Sequence, residues 1–555
     1  MSNAIYEDIM AKGHKKTNLQ YLPACAAGFI KLVIKKMRYR KKVRADVMAE
    51  LAAHFEDELK DCKTDEEKEH RAEQLIAEFG DVKLLAILLR RAKKRCRPLW
   101  RKVLVRSFQA LAVIVLYIIF VSLYLGTGTP NISVNYADWL NELVSKGSSE
   151  VQNAKPYYDK AAELCVKCPT ALQEKCLGCG SAGNWLTDFN DLEMELFSKW
   201  MGDNKKALEL VREGTNKPYC WPVYEATETD LTKGAIFNNT DVMRNLYYYR
   251  IIAQALAWRS QYKAYKTDVE SGLRDCLILV RFSLHQQGRG LLVEQLVGLA
   301  IEALAHHRVF MILEKVNIPA KALRNTQKEL ENEYSKHRAV LTFEAEKAIW
   351  YDYVQKGFTD DGKGGGRVLK QGLPLVADDW KNALWRFLSF GYPDRHEVTE
   401  TIERFFRCAA KLSTKTPWQT HSNGCEAETW KQISQKCALL RIQEPALRKA
   451  IEQSWAIETS RAALLAVLAV LRYEKERGKY PDSLQELVPA GYLKQLPMDP
   501  YSDKPLVYRK TDDGFMLYGL GSNFKDDGGQ VVRDDKGRVK KWADEGDTVF
   551  WPVSK

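Results

Sequence analysis

One uninterrupted apolar stretch stands out from the mixed hydrophobic and polar pattern of this chain. From Phe108 to Leu125 the sequence reads FQALAVIVLYIIFVSLYL and carries no charged side chain. A helix of about 20 such residues crosses the hydrocarbon core of a bilayer, and Arg106 can extend its charged end to the interface. A buried core helix is the alternative, but such a helix usually keeps a polar face. The pattern therefore predicts a transmembrane helix over residues 103–126.

The two flanks of this helix differ in charge. A cluster of basic residues precedes it: Arg90, Arg91, Lys93, Lys94, Arg95, Arg97, Arg101 and Lys102. The segment that follows, TGTPNISVNYADWLNEL (127–143), is acidic or neutral. Because basic flanks stay on the cytoplasmic side, the charges place the N-terminus in the cytoplasm and residues 127–555 outside it. We therefore expect a single-pass protein of a bacterial inner membrane.

Ahead of the transmembrane helix, the hydrophobic pattern predicts a basic cytoplasmic helical domain over residues 1–102. Apolar residues recur at every fourth position of one segment: Val43, Val47, Leu51, Phe55 and Leu59. This spacing predicts an amphipathic helix over residues 43–60, and similar stripes predict helices over Asp65–Phe79 and Val82–Leu89. The run AEQLIAEFGDVKLLAILLRR (72–91), after AELAAHFEDEL (49–59), resembles the HAAS-type helical domain of bacterial membrane signalling proteins. The resemblance implies a cytoplasmic interaction module.

The formal net charge of the chain is +12, and much of it lies in this first region. A basic run from Lys31 to Arg44 includes Tyr39, so both nucleic acid and anionic lipid are conceivable ligands. We favour lipid, because each Lys or Arg near an anionic membrane gains about 1 kcal/mol and no recognition helix or RNA-binding motif accompanies the charge. Membrane lipids are therefore an expected partner, and nucleic acid is not.

Beyond the membrane, residues 127–452 are expected to form a large helical domain. Residues 291–316 and 322–354 are long amphipathic runs separated by Pro319, and each predicts a helix. No linear catalytic motif accompanies them. The segment GFTDDGKG (357–364) has Gly364 where a phosphate-binding loop needs Ser or Thr, and a helical pattern precedes it instead of a strand. The pair His306–His307 lacks the HExxH context of a metalloprotease.

Two CxxC pairs lie near the start of this region. Cys165 and Cys168 form the first, and Cys176 and Cys179 form the second. Four thiolates in this arrangement can bind zinc tetrahedrally. Outside the cytoplasm disulfides are the preferred interpretation, and zinc is the alternative. Nine cysteines follow the membrane helix, so at least one should stay unpaired or bridge to a partner.

The C-terminal segment, residues 453–555, predicts a small α+β domain. A helix is expected over Ser454–Arg477, followed by two short strands, Leu506–Arg509 and Phe515–Tyr518, around the turn TDDG. Four motifs occur in order: RYEKERGKYPDSLQELV (472–488), LPMDPYSDKPLVY (496–508), FMLYGLGSNFKDDGG (515–529) and GDTVF (546–550). Together they resemble the globular domain of the major pseudopilin of type II secretion. The expected fold class is thus mainly α, with a pseudopilin-like α+β end.

In the pseudopilin family the loop after the third motif binds calcium through carboxylates and backbone carbonyls. Carried over to this chain, the resemblance implies five ligands: the carbonyl of Leu520, the side chains of Asn523, Asp526 and Asp547, and Asp527 as an alternative. Hard oxygen donors of this kind suit calcium. The sequence departs from the family at Asn523, where Asp is usual, and residues 530–545 read as an insertion. A solvated acidic turn is the alternative.

These features favour a non-enzymatic envelope protein, a scaffold related to secretion or signalling that has protein partners in the envelope. A pilus subunit begins with a short leader and an apolar helix that polymerises, whereas the transmembrane helix predicted here precedes the pseudopilin-like segment by more than 300 residues. We therefore do not expect a pilus subunit, and the fold alone does not fix the function. The alternative is an extracytoplasmic enzyme whose active site lies in the helical domain. A metal or redox role of the paired CxxC is a third interpretation.

Overall fold

The computed structural model describes residues 19–95, 99–176, 189–225, 240–266, 268–337, 340–376, 391–535, 539–542 and 545–553. These residues are mainly helical, with a small sheet region near the C-terminal end. The prediction of a mainly α chain is therefore confirmed. Contacts divide the chain into two compact units, Met1–Ser122 and Leu123–Lys555.

The described residues of the first unit form four helices before the apolar one, and each predicted helix is among them. Its helices are α1 (Ala24–Lys36), α2 (Lys41–Glu58), α3 (Asp65–Phe79), α4 (Val82–Arg95) and α5 (Leu99–Gly126), which extends past Ser122. Helix α3 begins at a capping box, in which Thr64 and Glu67 bond each other's backbone N–H, and ends at Gly80 with φ +69°. Phe29, Phe55 and Phe79 meet in the core of the first four helices.

Three described helices are long and apolar enough to cross a membrane, whereas the sequence pattern predicted one. They are Val103–Gly126, Leu292–Lys315 and Leu439–Arg477. The most apolar window of the first is 11% buried, against 67% for each of the other two. Length and composition therefore do not separate the three helices, but burial does.

The second unit is a bundle of helices. Its described helices are α6 (Tyr136–Ser145), α7 (Lys155–Leu164), α8 (Thr170–Cys176), α9 (Asp191–Asp203), α10 (Lys205–Gly214), α11 (Thr240–Lys266), α12 (Val269–Gln286), α13 (Leu292–Lys315), α14 (Ala320–Lys336), α15 (Glu344–Gly357), α16 (Leu373–Val376), α17 (Arg395–Ser413), α18 (Pro417–Ser422), α19 (Cys425–Ser434) and α20 (Ala438–Arg477). Short 3-10 turns cover Glu150–Gln152, Lys370–Gly372 and Leu484–Leu487. Helices α11, α12 and α13 pack side by side, and α20 packs on α13 and α14.

The prediction of a single helix over residues 322–354 is wrong. The chain forms α14, which ends at Lys336, and α15, which begins at Glu344, and residues 340–343 lie outside both helices. In that passage the side-chain amide of Gln295 accepts from the backbone N–H of Thr342 and donates to its carbonyl, at 3.0 and 2.9 Å. A contact from α13 thus takes the hydrogen bonds that a helix would have used internally.

Helix α20 begins earlier than the predicted start at Ser454. It has 40 residues and includes Pro445 in its second turn. Residues 452 and 453 lie inside this helix, and residues 123–555 form one compact unit. The helical region and the C-terminal segment therefore share α20 as a common core element.

The predicted hairpin is confirmed. Strand β3 (Val507–Thr511) pairs antiparallel with β4 (Gly514–Gly519) in the register Tyr508 to Leu517, and β4 pairs antiparallel with β5 (Thr548–Trp551). Strands β1 (Met498–Asp499) and β2 (Lys504–Pro505) form a separate antiparallel pair. Phe515, Leu517 and Phe550 belong to the same hydrophobic core as the middle of α20. The sheet is thus stabilised by the long helix instead of forming a core alone.

Candidate functional site

A buried carboxylate from an earlier turn bonds to the first residue of the loop that carries the predicted calcium ligands. Asp499, which is 1% exposed, accepts hydrogen bonds from the backbone N–H of Leu520 at 2.9 Å and of Tyr501 at 3.0 Å. Burial raises the pKa of Asp499, although these hydrogen bonds oppose the rise. Asp499 therefore fixes Leu520, the first residue of the implied ligand set. The sequence interpretation missed Asp499, and the available signal was its place before Pro500, where Asp commonly starts a turn.

Three of the predicted ligands are bonded within the loop. Asp526 accepts from the hydroxyl of Tyr518 and from the backbone N–H of Gly528, both at 2.9 Å. Asn523 donates its amide to Asp527 at 2.7 Å. These bonds stabilise the turn and occupy oxygen atoms that a cation would also need.

Asp547 is the exception among the predicted ligands. It is buried, and its Oδ2 accepts from the backbone N–H of Gly529 at 2.7 Å. Among the described residues no donor meets Oδ1 with full hydrogen-bond geometry, although the backbone N–H of Asp527, like that of Gly529, acts to lower the pKa of this carboxyl. Burial raises the pKa of Asp547, and the nearby carboxylates of Asp526 and Asp527 raise it further. An oxygen in this position is suited to a cation, which would supply a better partner.

The described residues do not assemble a complete metal centre. Within that part of the chain, no group of three or more His, Cys, Asp or Glu side chains could hold a metal ion. Leu520, Asn523, Asp526, Asp527 and Asp547 all lie in the described ranges. Calcium binding by this loop therefore stays a prediction, supported by the incompletely bonded Oδ1 of Asp547.

The structure describes only part of the predicted four-cysteine site. Cys179 and the side chain of Cys176 lie outside the described residues, and Cys168 is buried near the start of α8. Cys165 is a free thiol. Burial raises the pKa of Cys165 to about 12, so the thiol stays protonated at neutral pH. Zinc and disulfide formation by the four cysteines stay predictions.

A buried ion pair links α13 to α20. Arg461 donates from Nε and Nη2 to Glu302 at 2.5 and 2.8 Å, and both side chains are almost fully buried. The other Arg461 donors bond the carbonyl of His337 at 2.7 Å and the carboxylate of Glu458 at 3.1 Å. Burial opposes the charge of Glu302, but Arg461 and then His306 hold the pKa of its carboxyl below the ordinary range.

His306 and Tyr334 extend this network. The imidazole of His306 lies 2.7 Å from the hydroxyl of Tyr334 through Nε2, 2.9 Å from the hydroxyl of Ser460 through Nδ1, and 3.3 Å from Glu302. Arg461 stacks on the ring of Tyr334, with its Cζ 4.8 Å from the ring centre. A carboxylate and two hydroxyl groups thus lie within hydrogen-bond reach of one imidazole, which is an arrangement that can support proton transfer.

A cavity of about 820 Å³ lies beside this network. Tyr334, Glu458 and Arg461 line it, together with residues of the segment 493–500. Among the described residues, Glu302 and His306 do not reach the cavity wall, and both are at most 1% exposed. The groups best able to move a proton are therefore separated from the space that could hold a substrate.

A second polar cluster joins α7, α11 and α12. Lys155 donates to Asp159 at 2.7 Å and to the hydroxyl of Tyr249 at 2.9 Å. Nearby, the hydroxyl of Tyr158 lies 2.6 Å from Nδ1 of His285. Desolvation, with the nearby charge of His337 next, lowers the pKa of His285 to about 4. The imidazole is therefore neutral at physiological pH.

The segment that imitates a phosphate-binding loop has a different role. Residues 357–367 fold back on themselves, with the backbone N–H of Thr359 bonded to the carbonyl of Arg367 at 2.9 Å. The guanidinium of Arg367 donates to the carbonyls of Tyr124 and Thr127, the latter at 2.7 Å, and its Cζ lies 4.3 Å from the centre of the Tyr124 ring. A cation at the last carbonyls of a helix is favoured by the helix dipole. The loop therefore caps the C-terminal end of α5.

Comparison with protein-family models, with curated proteins and with solved structures finds no match for this chain.

Proposed function

We propose that this chain is a single-pass protein of a bacterial inner membrane and acts as a non-enzymatic scaffold. The exposure of α5 is the observation that carries the proposal. Large apolar side chains are exposed along most of α5, although Val121 and Leu125 near its C-terminal end are buried, and Phe108, Leu116 and Leu123 are each at least 60% exposed. In water such a surface is unfavourable, whereas in lipid it is matched.

The other two apolar helices are better explained as core helices. Helix α13 carries the buried Glu302 and α20 carries the buried Arg461, and the two side chains neutralise each other inside the bundle. Charged residues inside a lipid bilayer are costly. Both helices also pack against soluble-type amphipathic neighbours, as α14 does against α20. The proposal therefore has one membrane helix.

The scaffold would connect the two sides of the membrane. The basic flank of α5 favours a cytoplasmic first unit, which resembles a HAAS-type interaction module. Arg367 bonds to the carbonyls of Tyr124 and Thr127 at the C-terminal end of this helix, where the chain continues into the second unit. A single chain with interaction surfaces on both sides of the membrane suits a scaffold with partners in the envelope.

The pseudopilin-like end is included in the proposal as a reused module. A three-stranded antiparallel sheet beside a long helix supports it, since the family combines these elements. Calcium at the loop of Asp547 would stabilise this module from outside the cell. The incompletely bonded Oδ1 of Asp547 supports that part of the proposal.

An extracytoplasmic enzyme is the second candidate, and one observation favours it. Glu302, His306, Tyr334 and Arg461 form a buried cluster next to a cavity of about 820 Å³. Such clusters beside cavities are common in active sites. The scaffold is preferred because Glu302 and His306 are enclosed, and because Arg461 is already bonded to Glu302, Glu458 and the carbonyl of His337.

Membrane integration is tested by extraction. The full chain should stay in the membrane fraction after alkaline carbonate treatment. The double variant Leu116→Arg/Ile119→Arg, which places two charges in the apolar stretch, should be released. Leu192→Arg is the matched control, because Leu192 is an exposed leucine on α9, and it should be retained. Release of the unmodified chain would overturn the proposal.

Orientation is tested with a membrane-impermeant maleimide on spheroplasts. The exposed thiol of Cys425 should be labelled in intact spheroplasts, and Cys425→Ser should remove most of that label. Cys62, which is partly exposed, should be labelled only after permeabilisation. The opposite result would reverse the orientation while leaving the membrane helix in place.

A further inference from the structure

Helix α4 has two apolar faces, and within the described part of the first unit only one of them is covered. The inner face carries Ala86, which is buried, and the partly buried Leu85 and Leu89, which pack on the core of the first four helices. On the outer face, large side chains remain about half exposed: Leu84 56%, Ile87 48% and Leu88 51%. Three neighbouring aliphatic side chains in water are unfavourable unless another surface covers them.

Basic side chains surround this outer face. Arg90, Arg91 and Lys94 on α4 are exposed. Helix α1 packs on α4 and adds an exposed leucine, Leu32, with three exposed lysines: Lys31, Lys35 and Lys36. Helix α4 contains no acidic residue, and the nearest one in sequence is Asp81, which precedes its first residue. An apolar stripe with basic margins matches the surface of an anionic bilayer.

The chain itself keeps this face close to the membrane. Helix α4 ends at Arg95 and α5 begins at Leu99. Four Cα-to-Cα steps span at most about 14 Å when fully extended. The C-terminal end of α4 must therefore lie near the point where α5 enters the bilayer, which is the level of the lipid head groups.

We propose that the outer face of α4, together with the exposed edge of α1, lies on the cytoplasmic leaflet. Leu84, Ile87 and Leu88 enter the boundary between head groups and acyl chains, and the surrounding Lys and Arg side chains bind anionic lipid phosphates. This inference rests on the proposed membrane anchoring by α5. It adds a second lipid contact, which fixes the orientation of the first unit against the bilayer.

The full chain reconstituted in vesicles provides the test. An environment-sensitive fluorescent amino acid is introduced at position 88 by stop-codon suppression, and in a matched control at position 66, where Glu66 is exposed on α3. In vesicles with about one third anionic lipid, we expect a blue-shifted emission at position 88 that spin-labelled acyl chains quench. Position 66 should emit as in water and resist quenching.

The charge requirement is tested in parallel. The triple variant Arg90→Glu/Arg91→Glu/Lys94→Glu, or vesicles of neutral lipid alone, should reduce quenching at position 88 at least twofold. Equal, water-like emission at positions 88 and 66 would overturn the inference. So would quenching-resistant emission at position 88 that shifts with protein density, since a second copy would then cover the face. Vesicle flotation separates the two proposals, because a chain that floats but shows no signal at position 88 retains its anchor.

Discussion

Arg461 on α20 and Glu302 on α13 form a two-point ion pair across the core of the helical bundle, with N–O distances of 2.5 and 2.8 Å. The two residues are separated by 159 positions in the chain. The ion pair joins α20, which precedes the C-terminal sheet in the chain, to α13 in the helical bundle. Because both side chains are almost fully buried, each depends on the other for its charge to be tolerated.

Removing one partner should destabilise the second unit strongly. Glu302→Gln leaves the guanidinium of Arg461 buried without its carboxylate, and breaking a buried pair in this way costs about 3–5 kcal/mol. Chemical denaturation of the detergent-solubilised chain, followed by tryptophan fluorescence, measures the loss. Glu163→Gln is the control, because Glu163 forms only an exposed pair with Lys160, and it should leave the transition unchanged.

The double variant Glu302→Leu/Arg461→Met separates a structural role from a catalytic one. Replacing both charges with apolar side chains should recover most of the stability that the single variant loses. The scaffold is supported if the double variant regains stability, stays in the membrane fraction and still binds its partners. If the refolded double variant instead lost a measurable turnover that the unmodified chain has, the enzyme would be the better description.

Acid should weaken the second unit through His285. Because desolvation lowers its folded pKa to about 4 from the ordinary 6.5, the neutral form is favoured on folding. The stabilisation is complete above pH 6.5 and is lost as the pH falls toward 4. The loss should be on the order of 3 kcal/mol at its largest.

His285→Gln should flatten the stability profile between pH 6.5 and 4, since a neutral amide can still meet the hydroxyl of Tyr158. His396, near the exposed N-terminal end of α17, gives the matched control, and His396→Gln should keep the slope of the unmodified chain. The measurement is the denaturation midpoint at half-unit pH intervals. An unchanged slope in His285→Gln would assign the acid sensitivity to other groups.

Local signals explain where the sequence predicted the fold correctly. Helix α3 was predicted with the bounds it has in the structure from its apolar stripe and Gly80, and the structure adds a capping box of Thr64 and Glu67 at its start. The β3–β4 hairpin follows from alternating side chains around a short polar turn. The break between α14 and α15 had no such signal, because it is made by Gln295 from another helix.

The candidate sites also combine features with a local sequence signal and contacts that only the tertiary structure reveals. The oxygen donors proposed for the C-terminal loop come from the resemblance to the pseudopilin family, and their binding of calcium stays a prediction. The role of Asp499 was not readable from the sequence, since it acts on Leu520 from 21 positions away. Glu302, the buried partner of Arg461, lies 159 positions from it in the chain, and Thr127 lies 240 positions from Arg367. Tertiary contacts of this range leave no periodic or spacing pattern in a single sequence.

Arg367 should control the rigidity of the C-terminal end of α5. Arg367→Ala removes its bonds to the carbonyls of Tyr124 and Thr127, and hydrogen bonds to a charged group contribute about 1.5–3 kcal/mol. We expect faster amide hydrogen exchange at residues 124–128, with membrane retention unchanged. Arg367→Lys keeps the charge but loses the planar fork, so it should recover only part of the protection. Unchanged exchange in Arg367→Ala would show that other contacts hold the helix end.

Calcium should reverse the effect of one substitution. Without calcium, Asp547→Asn should leave stability equal or higher, because burial and the neighbouring carboxylates already raise the pKa of Asp547 and disfavour its charge. At a free calcium concentration 100 times the dissociation constant, the unmodified chain should gain about 2.7 kcal/mol, and Asp547→Asn should gain none. Asp512→Asn in the β3–β4 turn, outside the loop, should respond like the unmodified chain. Thermal melts of the full chain with calcium and with chelator measure all three. If calcium shifts none of them, the loop is a hydrogen-bonded acidic turn and the resemblance to the pseudopilin extends to fold alone.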